Sequence, residues 1–439
     1  ERAVSAADAY TRARAAQPDW ATRPLADRLA ILERFGELVI GRSDDLAAVL
    51  SGETGKPITQ ARNELSGVVP RVEFFLAETE QVLATETVLA DDAMTMHEQI
   101  TFEPLGVIAN ISAWNYPWFV GVNVIAPALL AGNAVLYKPS ELASETGRSI
   151  GRTLYDAGVP TDVFAVVEGG GDVGAALLAQ PIDGVFFTGS YPTGNAIAAA
   201  VAGRMIPVQL ELGGKDPVYV TDDVDMQAAA EGLADGAFYN NGQSCCSVER
   251  IYVHASVYDE FVDAFVKTVD GFAVGDPSDE ATYIGPLTRP QQVQVLEAQV
   301  ADATQKGATV RTGGHPMADR APGWFEPTVL TDVDHRMSVM RDESFGPIIG
   351  VQRVEDDAQA VTLMNDTEYG LTAGVYCTDE ERARRVLSAV DAGSAYWNCC
   401  DRVSPRLPWS GRGHSGIGTT LSTIGIRAFV RPKAWHLRG

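Results

Sequence analysis

The chain of 439 residues is long enough for two or three domains with large cores, and its 46% apolar and 21% charged residues are typical of globular proteins. With 34 basic against 58 acidic residues, the formal charge of −24 argues against nucleic acid or an anionic membrane as a general partner. Five cysteines do not describe a disulfide framework, neither Cys245-Cys246 nor Cys399-Cys400 has metal-ligand spacing, and the six histidines are scattered, so a reducing, cytoplasmic setting without a metal is expected.

No run of about 18 apolar residues appears, and the start does not read as a signal peptide. The first residue is Glu1 rather than a methionine, so a truncated and a naturally short N-terminus both stay open.

Residues 4–17 and 24–50 read as helices, the second from Leu25, Leu29, Leu32, Phe35, Leu38 and Val39 at spacings near three and four. "SGETGKP" is a turn whose "TGK" lacks the glycine spacing and preceding strand of a phosphate loop. A helix is expected from about residue 64 to 80, and residues 95–102 alternate like an exposed ribbon or edge strand. From Gly106 the pattern changes to apolar strands in "GVIANIS", "NAVLYK", "DVFAVV", "GVFFTGS" and "IPVQLELGG", separated by helical stretches and glycine turns. Unbroken apolar strands alternating with helices predict a largely parallel sheet covered on both faces. Its binding edge is expected beyond the strand C-termini, at Trp114-Asn115, Lys138, Ser190 and Glu211. "GGGDVG" fits G-x-G-x-x-G through Gly169, Gly171 and Gly174, but the acidic partner about 20 positions on is not clearly supplied, and a tight strand-to-helix turn is the preferred reading.

A second α/β series follows Asp222: a helix, the loop Gly242-Gln243-Ser244-Cys245-Cys246, a strand at 250–254, helices at 256–270 and about 289–306, and a strand near 308–310. A turn-rich excursion ending in a strand, then "DESFGPIIGVQRV" as loop and strand, a helix in "DDAQAVTLMND", a strand in "LTAGVYCTD" and a last long helix in "EERARRVLSAVDAG" complete it. Beyond Asn398 the chain reads as irregular, ending in an extended piece over 426–437.

Two residue types here can do chemistry. Cys245 lies between a helix and a strand, where a thiol can face a cavity, and Glu211 stands 34 positions earlier at a strand end. Cysteine attacks carbonyl carbons, and a carboxylate takes protons from thiol or water. Cysteine is also among the most buried residues, and "LELGG" also reads as a plain strand end and turn, so the residues alone leave packing and chemistry open.

The motifs "AWNYPW", "NAVLYKPSE", "FTGS", "LELGGKDP", "NNGQSCCSVER", "DESFGP" and "LPWSGRGHSG", in this order, resemble the aldehyde dehydrogenase superfamily of NAD(P)-dependent, non-acylating type across essentially the whole chain. The resemblance implies an α/β fold with two open-sheet domains, a Rossmann-like cofactor domain (1–85 and 104–212) and a catalytic thiol domain (213–419). It adds a small oligomerisation ribbon and arm (86–103 and 420–439). It implies oxidation of an aldehyde to an acid through a thiohemiacetal and thioester on Cys245, with Asn115 and the Cys245 N–H holding the oxyanion and Glu211 activating water. Without it, Asn115 reads equally as an Asx-turn.

Carried onto this sequence, the family's cofactor residues are Trp114, Lys138, Ser140, Glu141, Ser190, Leu212, Gly213, Glu343 and Phe345. Glu141 would accept ribose hydroxyls and repel a 2′-phosphate, so NAD is preferred and NADP stays open. Tyr116, Phe119, Asn123, Ser244, Cys246, Arg402 and Trp409 are the expected substrate-pocket residues, favouring an uncharged aliphatic or aromatic aldehyde. Arg402 or Arg406 would suit an acidic semialdehyde instead, and CoA-acylating oxidation is the other alternative, which retention of Glu211 disfavours. A homodimer or dimer of dimers is expected, with neither nucleic acid nor membrane as partner. Two departures stand out: Tyr191-Pro192 after "FTGS", and Ser344 where the family carries isoleucine.

Overall fold

In the computed structural model, which describes residues 5–91 and 95–438, helices precede any strand. Helix α1 (Ala6–Thr22) is capped by the Ser5 side chain and buries Ala6, Ala9, Ala13 and Trp20. The expected helix over 24–50 is two helices, α2 (Leu25–Gly41) and α3 (Ser43–Thr54), because Arg42 leaves helical geometry at φ −119° after Gly41. Helix α4 (Ile58–Val82) starts directly after Pro57 and outruns the expected 64–80 at both ends. Strands β1 (Glu86–Asp91) and β2 (Met96–Pro104) then form an antiparallel hairpin. The parts of the expected helix, ribbon and domains that fall on residues 1–4, 92–94 and 439 lie outside the described residues.

The next stretch runs β3 (Val107–Ile111), α5 (Pro117–Leu130), β4 (Ala134–Lys138), α6 (Ser144–Ala157), β5 (Phe164–Val166), α7 (Gly171–Leu178), β6 (Gly184–Thr188), α8 (Tyr191–Val201) and β7 (Val208–Glu211). These strands share one parallel sheet in the order β7-β6-β3-β4-β5. Successive side chains of β3 and β4 enter different cores: Val107, Ala109, Ala134 and Leu136 pack on one face, Ile108, Val135 and Tyr137 on the other. Both faces are covered, which is why these strands carry no polar alternation.

The second series is β8 (Asp216–Val220), α9 (Met226–Phe238), β9 (Val248–His254), α10 (Tyr258–Asp270), α11 (Gln292–Gln305), β10 (Thr309–Thr312), β11 (Thr328–Thr331), β12 (Ile348–Val354), α12 (Asp357–Met364), β13 (Thr372–Tyr376), α13 (Glu380–Ser388) and β14 (Ser394–Trp397). They form a sheet ordered β10-β11-β12-β9-β8-β13-β14. Strand β8 is not among the expected elements, because "LELGG" reads as a strand end and turn and the second series as starting after Asp222. A register shift between Asp216 and Pro217 lets this buried central strand accommodate the missing N–H. Strand β14 was also not expected, and α13, at 9 residues, is short rather than long.

The chain then returns: β15 (Gly416–Ile417) pairs antiparallel with β7, on the edge of the first sheet. The expected extended end is corrected, since α14 (Ser422–Arg427) intervenes before β16 (Val430–Arg438) pairs with β2. Phe429 and Ile426 fall into the core of the first sheet, which holds the chain inward until Val430.

Candidate active site

Strands β3, β4, β6 and β7 are parallel, so their C-terminal ends meet at one rim. Connections run outward from β3 in both directions across the sheet, and the crevice above β3 and β6 is the topological switch point where ligands bind in such folds. A cavity of about 770 Å³ opens there. It is lined by Asn115, Glu211 and Cys245, and by Trp114, Lys138, Ser140, Glu141, Ser190, Leu212, Gly213, Glu343 and Phe345. The structure thus brings together every residue carried over as catalytic or cofactor-binding.

The thiol reaches this cavity through an unusual backbone. After α9, Asn240, Asn241 and Gly242 take consecutive left-handed conformations, φ 53°, 57° and 68°. Asparagine tolerates this region better than most residues, and here its side chains hold the turn. Asn241 receives the Gly285 N–H and donates to the carbonyls of Gly285 and Pro286 at 2.8–3.0 Å. At Gly242 a β-carbon would collide with the Gly346 carbonyl, so glycine is required there.

Cys245 is half-buried and free. Its neighbour Cys246 is buried, and donates its thiol to Asp401 Oδ1 at 2.8 Å. Contact with Cys245, burial and the Asp401 charge hold the Cys246 pKa well above the usual thiol range, so it stays protonated. Asn115 is buried and donates one amide hydrogen from Nδ2 to the Gln243 carbonyl at 3.2 Å, leaving the other available.

Glu211 ends β7 inside the protein. Its Oε1 accepts from Gln209 Nε2 at 3.0 Å and Thr420 Oγ1 at 3.5 Å, while Oε2 is buried without a partner. Burial pushes its pKa up to about 8 against these two hydrogen bonds, the profile of a carboxyl able to take a proton near neutrality.

Glu343 accepts the Gly214 N–H at 2.9 Å and covers Gly213, where a β-carbon would meet the carboxylate. Burial, then the charge of Glu249, raise its pKa to about 7. The adjoining Ser344 is fully buried, and its hydroxyl accepts from Lys215 Nζ at 3.1 Å. Lys215 also pairs with Glu249 at 2.6 Å, and Glu249 in turn receives the N–H groups of Ser344 and Phe345. The departure from isoleucine therefore adds a hydrogen bond inside the loop that presents Glu343.

At the other end of the cavity Lys138 Nζ lies 3.6 Å from Glu141, whose side chain is exposed. Ser190 precedes α8 with its hydroxyl 3.1 Å from Thr193, and Tyr191 stacks on His414 with ring centroids 3.7 Å apart. Pro192 sits in the first turn of α8 and leaves the helix intact. Gly171 and Gly174 also line the cavity, so "GGGDVG" is a strand-to-helix turn that forms part of the wall.

None of the seven expected substrate-pocket residues lines this cavity. Tyr116 and Phe119 stack with centroids 5.8 Å apart, with Lys56 over the first ring and Arg71 over the second. Phe119, Cys245, Cys246 and Trp409 belong to one apolar cluster, and Ser244 is buried beside them. Asn123 is buried in α5 with its side-chain oxygen unpartnered. Arg402 is 68% exposed, 3.9 Å from Asp235, and Arg406 is exposed too.

Sequence reading passed over Lys56, Glu64, Gln209, Asn240 and Thr420. Two signals were there: Asn240 opens the motif "NNGQSCCSVER", and Lys56 lies in "TGKP", a lysine whose loop is not a phosphate loop.

The cavity suits a dinucleotide. Small residues on and just after α7 and on α8 (Ala175, Ala179, Ala196, Ala200) leave an apolar wall, and the Lys138–Glu141 pair, the α8 N-terminus and Glu343 offer polar partners.

The aldehyde dehydrogenase family model matches residues 2–435. The chain is 36% identical over 419 residues to aminoaldehyde dehydrogenase 1, peroxisomal, of Pisum sativum, covering 94% of this chain and 83% of that protein. It is 36% identical over 429 residues to the NADP(+) succinate-semialdehyde dehydrogenase of Deinococcus radiodurans, covering 96% and 88%. The solved structure of PnpE in complex with nicotinamide adenine dinucleotide superposes with a TM-score of 0.95 at 31% identity, covering 99% of this chain and 91% of that one.

Proposed function

Because the chain belongs to the aldehyde dehydrogenase family and is an NAD(P)-dependent oxidoreductase acting on an aldehyde, we propose that Cys245 is its nucleophile, Asn115 its oxyanion donor and Glu211 its base. One observation carries this assignment: the three line the same cavity as the nine cofactor residues.

Cys245 sulfur forms a bond to the aldehyde carbon, and the carbonyl electron pair moves to oxygen. The free amide hydrogen of Asn115 and the Cys245 N–H stabilise that oxyanion. Bound dinucleotide supplies the hydride acceptor at its nicotinamide ring. Lys138 and Glu141 would hold the adenosine ribose, Ser190 the pyrophosphate, and Glu343 with Phe345 the nicotinamide ribose. Once the tetrahedral carbon has given up its hydride, with the oxyanion pair re-forming the carbonyl of a thioester, water attacks that carbon, Glu211 Oε2 takes the water proton, and the C–S bond breaks with Cys245 leaving as thiolate.

The substrate is an uncharged aliphatic or aromatic aldehyde, a reading supported by Phe119 and Trp409, which share the apolar cluster that Cys245 packs against. Relatives that act on aminoaldehydes and on succinate semialdehyde keep charged aldehydes as the alternative. NAD is preferred, because the Glu141 carboxylate stands beside Lys138 where a 2′-phosphate would compete for the same cation.

A homodimer or dimer of dimers forms through the β1-β2-β16 ribbon, whose outer strands leave backbone groups unpaired beside exposed Val88, Trp435 and Leu437. The cofactor domain comprises 1–85 and 104–212, the thiol domain 213–419, and the ribbon and arm 86–103 and 420–439. No helix among the described residues is long and apolar enough to cross a membrane. Cytoplasmic residence remains part of the proposal, supported by five free cysteines.

Dinucleotide reduction followed at 340 nm across uncharged, amino-bearing and carboxylate-bearing aldehydes tests this reading. Turnover fastest with uncharged aldehydes and independent of CoA is expected; a preference for charged aldehydes, or acyl-CoA formation, would replace it.

A further inference from the structure

Asn115 and the Cys245 loop come from different elements, yet an oxyanion site needs them fixed within a fraction of an ångström. What fixes them is a buried polar network outside the reacting groups. Asn240 Nδ2 donates to the Asn115 carbonyl at 3.2 Å and to the Gln243 carbonyl at 3.1 Å, bridging the two segments. Gln243 is the residue whose carbonyl also receives the Asn115 side chain. Lys56 Nζ donates to the same Asn115 carbonyl at 2.8 Å, filling its second acceptor site. Lys56 is itself paired with Glu64, both side chains buried, and Glu64 Oε1 receives the N–H of Trp118 at 2.9 Å in the first turn of α5. Asn240 is held in turn by Gln60, whose Oε1 accepts its N–H at 2.9 Å. Two buried charges are costly to place, and here Lys56 and Asn240 both bond one backbone carbonyl, that of Asn115, while Glu64 holds Lys56 and the start of α5.

We propose that Lys56, Glu64 and Asn240 are positioning residues for aldehyde oxidation, locking the Asn115 amide in register with Cys245 so that the oxyanion site stands ready before substrate enters. The inference rests on the assignment of Asn115 as oxyanion donor. It gives the "TGKP" lysine a role that has nothing to do with phosphate.

A double-mutant cycle on the burst of dinucleotide reduction tests it, using Asn240→Ala, Asn115→Ala and their combination. Asn240→Ala alone is expected to slow the burst about 10- to 100-fold, with dinucleotide affinity changed less than about threefold. In the Asn115→Ala background the same substitution is expected to cost less than about threefold, since the side-chain amide that Asn240 keeps in position is gone although the carbonyl it bonds remains. Equal losses in both backgrounds, or no loss in the parent, would overturn the proposal. A burst unaffected by Asn115→Ala would overturn the oxyanion assignment and this inference with it. Should Asn240→Ala not fold, the volume-conserving pair Lys56→Met with Glu64→Gln runs the same cycle, and recovery of the burst in Lys56→Arg over Lys56→Met supports the lysine's part.

Discussion

The main-chain carbonyl of Cys245 lies against Gly214, so close that a β-carbon at 214 would stand 2.6 Å from its oxygen. The turn that ends the Glu211 strand and the loop that carries the thiol are thereby packed backbone to backbone. Gly214→Ala is expected to push the nucleophile loop away, lowering the burst rate at least about tenfold and costing about 1–3 kcal/mol of stability. Burst kinetics and thermal unfolding of the purified variant check this. A variant with normal burst would show that the contact does not locate the thiol.

As the proposed base, Glu211 is predicted to govern the pH dependence. Only its ionised form can take a proton from water, and burial holds its pKa near 8. Steady-state turnover limited by thioester hydrolysis should rise with pH up to about 8 and then level off, and Glu211→Gln should slow that step while sparing the burst. The sign for stability is opposite. The folded pKa exceeds the unfolded value of about 4.3, so the folded state keeps the proton longer and loses stability as pH rises through that interval. Glu211→Gln should gain stability relative to the parent as pH rises from 5 to 9, measured by denaturant unfolding.

Glu343 is predicted to couple cofactor affinity to pH. Its pKa is raised to about 7, and its carboxylate is the better acceptor for ribose hydroxyls when ionised. KM for the dinucleotide should therefore rise as pH falls below about 7, and Glu343→Gln should show a high KM at every pH.

The Lys138–Glu141 pair is predicted to set the choice between dinucleotides. Glu141→Ala removes the like charge that a 2′-phosphate would face and frees Lys138 to meet it. The ratio of kcat/KM for NAD over NADP should fall about tenfold, from the loss of one charge contact worth about 1–2 kcal/mol. A fixed ratio would place the discrimination elsewhere.

The parallel sheet was legible because buried strands such as Val107–Ile111 and Ala134–Lys138 read as largely apolar runs, and its rim because polar residues stand at or just past their ends, Lys138 and Trp114-Asn115 among them. The thiol and the carboxylate were visible as residue types, but only the resemblance to a family joined Cys245 to Glu211. Hidden from sequence were features set by tertiary packing. Strand β8 is hidden by its proline and preceding glycines, and the break at Arg42 by a continuous apolar period. Lys56 and Glu64, polar residues near a turn and on a helix, pattern as surface and are among the most buried charges in the chain. Ser344 looked like a substitution on one side of a loop, yet it is an interior acceptor for Lys215.

Single-turnover reduction of dinucleotide by Cys245→Ala, beside direct measurement of dinucleotide binding, tests the central claim most directly. The account predicts that the variant binds dinucleotide within about threefold of the parent and shows no burst with any aldehyde, because no sulfur is present to form the thiohemiacetal. A burst of parental size in Cys245→Ala would contradict it and move the nucleophile to another residue.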